Sequence, residues 1–175
     1  MKIKINLLIF LFLSIFFLSC EKTDDFKEVW SEAQYLYEKK EFDNSIIALN
    51  RIIHSKASND YKAKSLFLTS EIYLNEYKEY SIAVFFLNQL LDNYPNHILS
   101  KRSLFTKAYI NANYLQSYSD AILLYKLFIE KYPEDELISS VYYELDELAK
   151  YDEEIKNLLK KNWLIRLQIF IKLLY

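Results

Sequence analysis

Two stretches of the chain are close variants of one another: Ala83–Pro95, which reads AVFFLNQLLDNYP, and Ala121–Pro133, which reads AILLYKLFIEKYP. They begin 38 positions apart, and a step of 38 back from Ala83 reaches Ser45, which begins a third related stretch. Because related residues recur at this spacing in three stretches, the sequence predicts internal duplication of a unit of about 38 residues.

Each unit contains two apolar-periodic stretches of helical length, and in the third unit these run over about 99–115 and 119–131. The apolar positions of the second stretch step by three, one and three, as one face of an α-helix requires. These positions are Ala121, Leu124, Tyr125 and Phe128. The pattern therefore predicts a helical hairpin in each unit.

Small residues and prolines mark the same places in successive hairpins. Ser45, Ala83 and Ala121 are small where the two helices must approach closely. The Tyr-Pro pairs at 94–95 and 132–133 end the second helices, because proline restricts the residue before it and cannot join a helix interior.

Composition excludes several classes of protein. The chain has no glycine and two prolines. It therefore lacks a phosphate-binding glycine loop, and it lacks the usual residues of tight hairpin turns, which argues against a β-sandwich or barrel. The formal net charge of −2 gives no indication of nucleic-acid binding.

The order of residues in each unit resembles the tetratricopeptide repeat (TPR): an aromatic residue is followed three positions later by a small one, four positions after that by a large one, and then by a proline. The usual TPR period is 34 residues. The resemblance implies an all-α, TPR-like helical-hairpin solenoid of about three and a half repeats over residues 27–151. In the half unit, Tyr142-Tyr143 fall in register with Leu104-Phe105. The alternative is an unrelated helical bundle with fortuitous spacing.

The first nineteen residues have the layout of a secretory signal, with Lys2 and Lys4 before an apolar run. Phe17-Leu18-Ser19-Cys20 resembles a bacterial lipobox, which implies cleavage before Cys20, lipidation of that cysteine and a short lipidated linker over 20–26. Glu21 in second place, by resemblance to envelope sorting rules, favours the periplasmic face of the outer membrane. The alternatives are an unlipidated signal with a chance cysteine, or an N-terminal anchor helix.

A lipobox followed by long-period repeats that close in an aliphatic pair and Tyr-Pro resembles the BamD family of outer-membrane assembly lipoproteins. The residues that carry this resemblance are Cys20, Ala83, Leu90-Leu91, Tyr94-Pro95, Ala121, Phe128-Ile129 and Tyr132-Pro133. The family implies a periplasmic scaffold that binds the β-barrel insertase through protein contacts and the membrane through its lipid. Family members usually have a longer array of repeats. Contact with the insertase is therefore the implied property that this shorter array supports least.

Two other classes stay open. One is a different envelope adaptor, such as a pilotin or a cell-wall coordinator, since repeat architecture does not identify the partner. The other is a ligand-binding lipoprotein that captures peptides or glycans, which a deep pocket with converging polar groups would favour.

The first helices of stacked TPR hairpins line a concave groove, and this register predicts the residues that a partner peptide would contact. Aromatic and amide side chains predominate among the predicted contacts: Trp30, Gln34, Tyr37, Asn75, Asn113 and Tyr114. Leu68, Ile72, Thr106 and Ile110 share the register, and the alternative for Ile72 and Ile110 is that they belong to the core.

The sequence offers no catalytic, metal or cofactor site. His54 and His97 are predicted in linkers, and neither has a second histidine or cysteine at metal-ligand spacing. Cys20 is the only cysteine, and no nucleophile triad can be drawn. We therefore expect a protein that is not an enzyme and that binds protein partners.

The C-terminal end changes charge abruptly. Residues 134–154 hold nine acidic residues and one basic, whereas 155–175 hold five basic residues, no acidic one and many large apolar side chains. The segment 152–175 is predicted to be an amphipathic helix that either caps the last repeat or lies on a membrane or a partner.

Overall fold

The computed structural model describes residues 26–151, and within this range every regular element is helical. The elements are α1 (Phe26–Glu38), α2 (Phe42–Ile53), α3 (Asn59–Ile72, continued by a π-helical turn Tyr73–Tyr77), α4 (Tyr80–Asn93), α5 (Ile98–Asn113), α6 (Tyr118–Lys131) and a last helix, α7, over 138–151. The predictions for 1–25 and 152–175, Cys20 and the C-terminal amphipathic helix among them, lie outside the described residues.

Successive helices pack against one another in chain order, so three hairpins stack and α7 adds half of a fourth. The second helices begin at Phe42, Tyr80 and Tyr118, which repeats the 38-residue period in the backbone. The predicted fold class, an all-α solenoid of TPR-like hairpins, is confirmed.

Each hairpin closes around the predicted small residue. Ser45, Ala83 and Ala121 have no exposed surface. The Ser45 hydroxyl donates to the Ala33 carbonyl across the first hairpin at 2.8 Å, so the one polar residue at this position is satisfied by the facing helix.

Three apolar clusters lie along the stack, one for each hairpin. The position seven residues after the small one is filled by Ile52, Leu90 and Phe128, and none of the three is exposed. Because the same register position is buried in every unit, the stack buries a ladder of large side chains that no hairpin could bury alone.

The helix ends also follow the repeat. Tyr94 and Tyr132 each end a second helix, and each backbone N–H donates to a carbonyl four residues back. Three residues after each of these tyrosines, a side chain accepts a backbone N–H. The His97 ring accepts that of Leu99, and the Asp135 carboxylate accepts that of Leu137. A side-chain acceptor here satisfies an otherwise unpaired donor of the next helix's first turn.

Turns within the hairpins use the left-handed region without glycine. Lys40, Lys78 and Gln116 have φ of 62°, 58° and 56°, and they are spaced by 38 residues. The lack of glycine indicated that tight turns would be scarce, yet one such turn joins the two helices of each hairpin. Non-glycine residues occupy it at a conformational cost of about 1–2 kcal/mol each.

Replacing Lys78 by glycine is expected to raise the free energy of unfolding by up to about 1 kcal/mol, because glycine adopts the left-handed conformation without the Cβ clash. Chemical denaturation followed by circular dichroism measures the change. Lys126→Gly, within α6, is the control with the opposite sign, because glycine in a helix interior costs about 1 kcal/mol. Destabilisation by both variants would show that the Lys78 side chain contributes more than its strained backbone costs.

The last described helix departs from the pattern of the earlier first helices. Leu104 is buried, but its register counterpart Tyr142 is 56% exposed. Asp146 and Lys150, an exposed ion pair, stand where α5 has Ala108 and Ala112. Among the described residues, this face of α7 is therefore more polar and more exposed than the equivalent face of α5.

Candidate functional site

The first helices of the hairpins lie side by side on one face of the stack, because α3 contacts both α1 and α5. Side chains meet across this face at a spacing of 31 residues in three places: Trp30 with Tyr61, Glu71 with Arg102, and Asn113 with Glu144. We call this surface the first-helix face, and it is the surface on which the TPR resemblance predicts a groove.

The predicted groove residues differ in exposure. Gln34, Asn75, Asn113 and Tyr114 are exposed, and Trp30 and Tyr37 are partly buried. Their proposed contact with a partner stays a prediction.

Ile72 and Ile110 have no exposed surface and are core residues, which confirms the alternative interpretation for these two positions. Ile72 packs into the cluster of the first hairpin, and Ile110 into the cluster of the second. Gln34 occupies the same register position but is exposed, since no described hairpin precedes α1. The register position of Gln34 is therefore a contact between hairpins in the later units, and a polar residue occupies it in the first described hairpin.

A charged pair lies at the middle of the first-helix face. The Arg102 guanidinium is 3.3 Å from the Glu71 carboxylate and lies over the Phe67 ring, 5.2 Å from its centroid. Burial raises the pKa of Glu71, and Arg102 partly offsets this effect. Burial and the nearby carboxylates of Glu71 and Glu76 raise the pKa of Tyr37. The Glu71 carboxylate at the middle of the face is thus already paired with a cation of the chain itself.

The end of the face, between α5 and α7, has a different composition. The Tyr114 ring stacks on Tyr80 with centroids 4.3 Å apart and meets the Tyr109 ring edge-on at 6.0 Å. The Asn113 amide donates to the Tyr109 carbonyl and to the Glu144 carboxylate, at 3.1 and 3.3 Å. Aromatic rings, an amide and a carboxylate thus converge on one patch.

Sequence reasoning identified Asn113 and Tyr114 but missed Tyr109 and Glu144. Tyr109 falls at the register position of Glu71, and Glu144 follows Asn113 by 31 residues. The same 31-residue spacing separates Glu71 from Arg102. This spacing between contacting residues of successive first helices is the sequence feature that could have indicated Glu144.

His97 has a structural role. Its ring accepts the Leu99 N–H and lies 3.2 Å from the Asp60 carboxylate. Hydrogen bonds from Lys64 and then His97 lower the pKa of Asp60. No group of three or more potential metal ligands occurs among residues 26–151.

Two shallow depressions lie elsewhere on the described surface. One is lined by Pro95, His97 and Lys101, among others, and one by Val84, Lys107 and Leu123, with cavity volumes of about 300 and 340 Å³. Neither is lined by a predicted groove residue.

The described part of the chain therefore defines a class: a solenoid of helical hairpins with an open face of aromatic, amide and charged side chains. Comparison with protein-family models and with curated proteins finds no match for the chain. Resemblance to the BamD family accordingly rests on the residues quoted above. None of the described helices has the length and apolar character needed to cross a membrane.

Proposed function

We propose that this protein is a lipid-anchored periplasmic scaffold that binds other proteins through its first-helix face, in outer-membrane β-barrel assembly of the BamD kind. The observation that carries the binding role is the convergence of Tyr109, Asn113 and Tyr114 on an open patch of a stacked-hairpin fold. Stacked hairpins present extended surfaces of this kind to peptide segments and helices.

The anchor is proposed on the sequence of the first twenty residues. Lipid chains on Cys20 would hold the scaffold at the membrane, because each buried methylene contributes roughly 0.8 kcal/mol and several chains make the attachment stable.

The anchor is tested by replacing Cys20 with alanine. The variant is expected to lose incorporation of radiolabelled palmitate and to leave the membrane fraction, whereas Ser31→Ala, an exposed change on α1, retains both. Fractionation of envelopes measures the distribution. A Cys20→Ala protein that stays in the membrane fraction would overturn the proposed anchor.

The partner is identified by cross-linking the tagged protein in native envelopes and by mass spectrometry of what it retains. Recovery of the β-barrel insertase supports the assembly role; recovery of pilus, secretin or cell-wall proteins instead replaces that role with another adaptor function. Tyr114→Ala is expected to reduce recovery, and Phe85→Ala, an exposed aromatic on the second helix α4, is the matched control. Equal recovery with both variants would overturn the first-helix face as the binding surface.

A further inference from the structure

The carboxylate of Glu144 lies where α5 meets α7. The Glu144 carboxylate is half-buried and accepts a hydrogen bond from the Asn113 amide. No lysine, arginine or histidine of residues 26–151 forms an ion pair with it. Other half-buried carboxylates on the stack differ in this respect, since Glu71 pairs with Arg102 and Asp135 with Lys101.

The hydroxyl of Tyr125 lies beneath this patch. Tyr125 has no exposed surface, and no group of residues 26–151 meets hydrogen-bond geometry with its hydroxyl. Its ring packs edge-on against Phe105, 5.9 Å between centroids, and the hydroxyl lies near Glu144 and Tyr109. Burial is the main cause that raises the pKa of Tyr125, followed by the charge of Glu144. The equivalent positions in the first two hairpins are Leu49 and Leu87, which have no polar atom to satisfy.

Two aromatic rings lie on the same patch as the carboxylate. Tyr114 is 43% exposed, and its ring stands at 74° to the ring of Tyr109. Burial and then the charges of Tyr114 and Glu144 raise the pKa of Tyr109, so the neutral, donor form of this phenol predominates at neutral pH. Aromatic rings together with a carboxylate make this patch electron-rich, so that it attracts a cation and offers little to an anion.

We propose that Tyr109, Tyr114 and Glu144, with Tyr125 beneath them, form a cation site that receives a lysine or arginine side chain of the bound protein. A charged ammonium or guanidinium group would pair with Glu144 and lie beside the Tyr109 and Tyr114 rings, above the buried Tyr125. This inference rests on the proposed function, because it names the chemistry of the partner that the first-helix face binds.

Basic residues also occur in the chain itself, at Lys156, Lys160, Lys161, Arg166 and Lys172. The site is assigned to a partner because Glu144 lies on the same open face as Asn113 and Tyr114, where the partner is proposed to bind. The chain's own basic segment is the competing occupant, and the experiment separates the two.

The test is a titration of the full-length protein, purified in detergent with ring-labelled tyrosine, followed by NMR. The probe is the capped peptide acetyl-Ala-Ala-Lys-Ala-Ala-amide, and the same peptide with norleucine in place of lysine is its uncharged counterpart. Saturable shifts of the Tyr109 and Tyr114 signals are expected with the lysine peptide and not with the norleucine peptide. Equal shifts with both peptides would overturn the cation site.

The Glu144→Gln variant is expected to weaken binding of the lysine peptide by about tenfold or more, because the ionic partner is lost while the amide keeps the size of the side chain. Glu147→Gln removes the same charge one turn further along the same helix, where the carboxylate pairs with Lys150, and is expected to leave the affinity within about twofold. Circular dichroism shows whether each variant is folded. Equal affinities of the two variants would overturn the assignment of Glu144.

A third variant, in which Lys156, Lys160 and Lys161 are changed to glutamine, tests the competing occupant. Unchanged affinity for the lysine peptide supports a partner side chain, whereas tenfold tighter binding would show that the chain's own segment fills the site and would overturn the partner assignment.

Failure of this proposal is distinguishable from failure of the scaffold function. If the partner is recovered from envelopes equally well with Glu144→Gln, the scaffold function stands and the cation site is overturned.

Discussion

Truncation of Phe128 to alanine is expected to lower the free energy of unfolding by about 3–5 kcal/mol, the range for removing a fully buried aromatic side chain. Phe128 has no exposed surface, and its ring contacts those of Phe105 and Tyr132 at centroid distances of 6.2 and 5.2 Å. The loss combines the transfer of the ring to water with the cavity that the surrounding helices cannot fill.

Urea denaturation followed by circular dichroism at 222 nm measures the Phe128→Ala effect. Leu123→Ala is the matched control, because Leu123 lies on the same helix but is 65% exposed. It is expected to change stability by less than about 0.5 kcal/mol. A Phe128→Ala protein as stable as this control would contradict the position of Phe128 at the centre of the third hairpin.

Repetition is the reason that the fold could be predicted so closely from the sequence. A single amphipathic stretch predicts a helix but not its neighbours, whereas a 38-residue period requires every unit to adopt one structure. The helix starts at Phe42, Tyr80 and Tyr118 follow this period, and so does burial at Ile52, Leu90 and Phe128. Local propensity and global packing agree at these positions.

The turns could not be predicted in the same way, because the usual residue signal for a left-handed turn is glycine and the chain has none. Lys40, Lys78 and Gln116 adopt positive φ since the hairpin geometry requires it and packing of the helices outweighs the local cost. Their 38-residue spacing was visible, but lysine and glutamine do not mark a turn by themselves.

Only part of the candidate site could be predicted, because a register assigns a residue to a helix face without saying what covers that face. Ile72 and Ile110 are covered by the preceding hairpin, whereas Gln34 at the same position is not. Glu144 and Tyr125 come together through contacts between helices of different units, and no pattern within one helix indicates such a contact.

Enlargement of Ala83 to leucine is expected to destabilise the protein by roughly 1–3 kcal/mol, because extra atoms in a packed interface force the backbones apart. Ala83 has no exposed surface and lies where α4 crosses α3, at the position that the other hairpins fill with serine or alanine. A hairpin held open at this point also moves Leu87 and Leu90, which follow on the same buried face. The leucine therefore disturbs contacts on two further turns of the helix, and the effect should fall in the upper part of the range.

Ala83→Ser separates the size of the side chain from the identity of the residue. Ser45 occupies the equivalent position and donates to the Ala33 carbonyl, and the corresponding acceptor for a serine at 83 is the carbonyl of Glu71. The serine variant is thus expected to lose less than about 1 kcal/mol in the same urea denaturation, because the buried hydroxyl finds a partner. If the leucine variant were no less stable than the serine variant, close approach of the two helices would not be what selects small residues here. The recurrence of Ser45, Ala83 and Ala121 would then need another explanation, since a packing constraint acts on volume and both alanine and serine satisfy it where leucine does not.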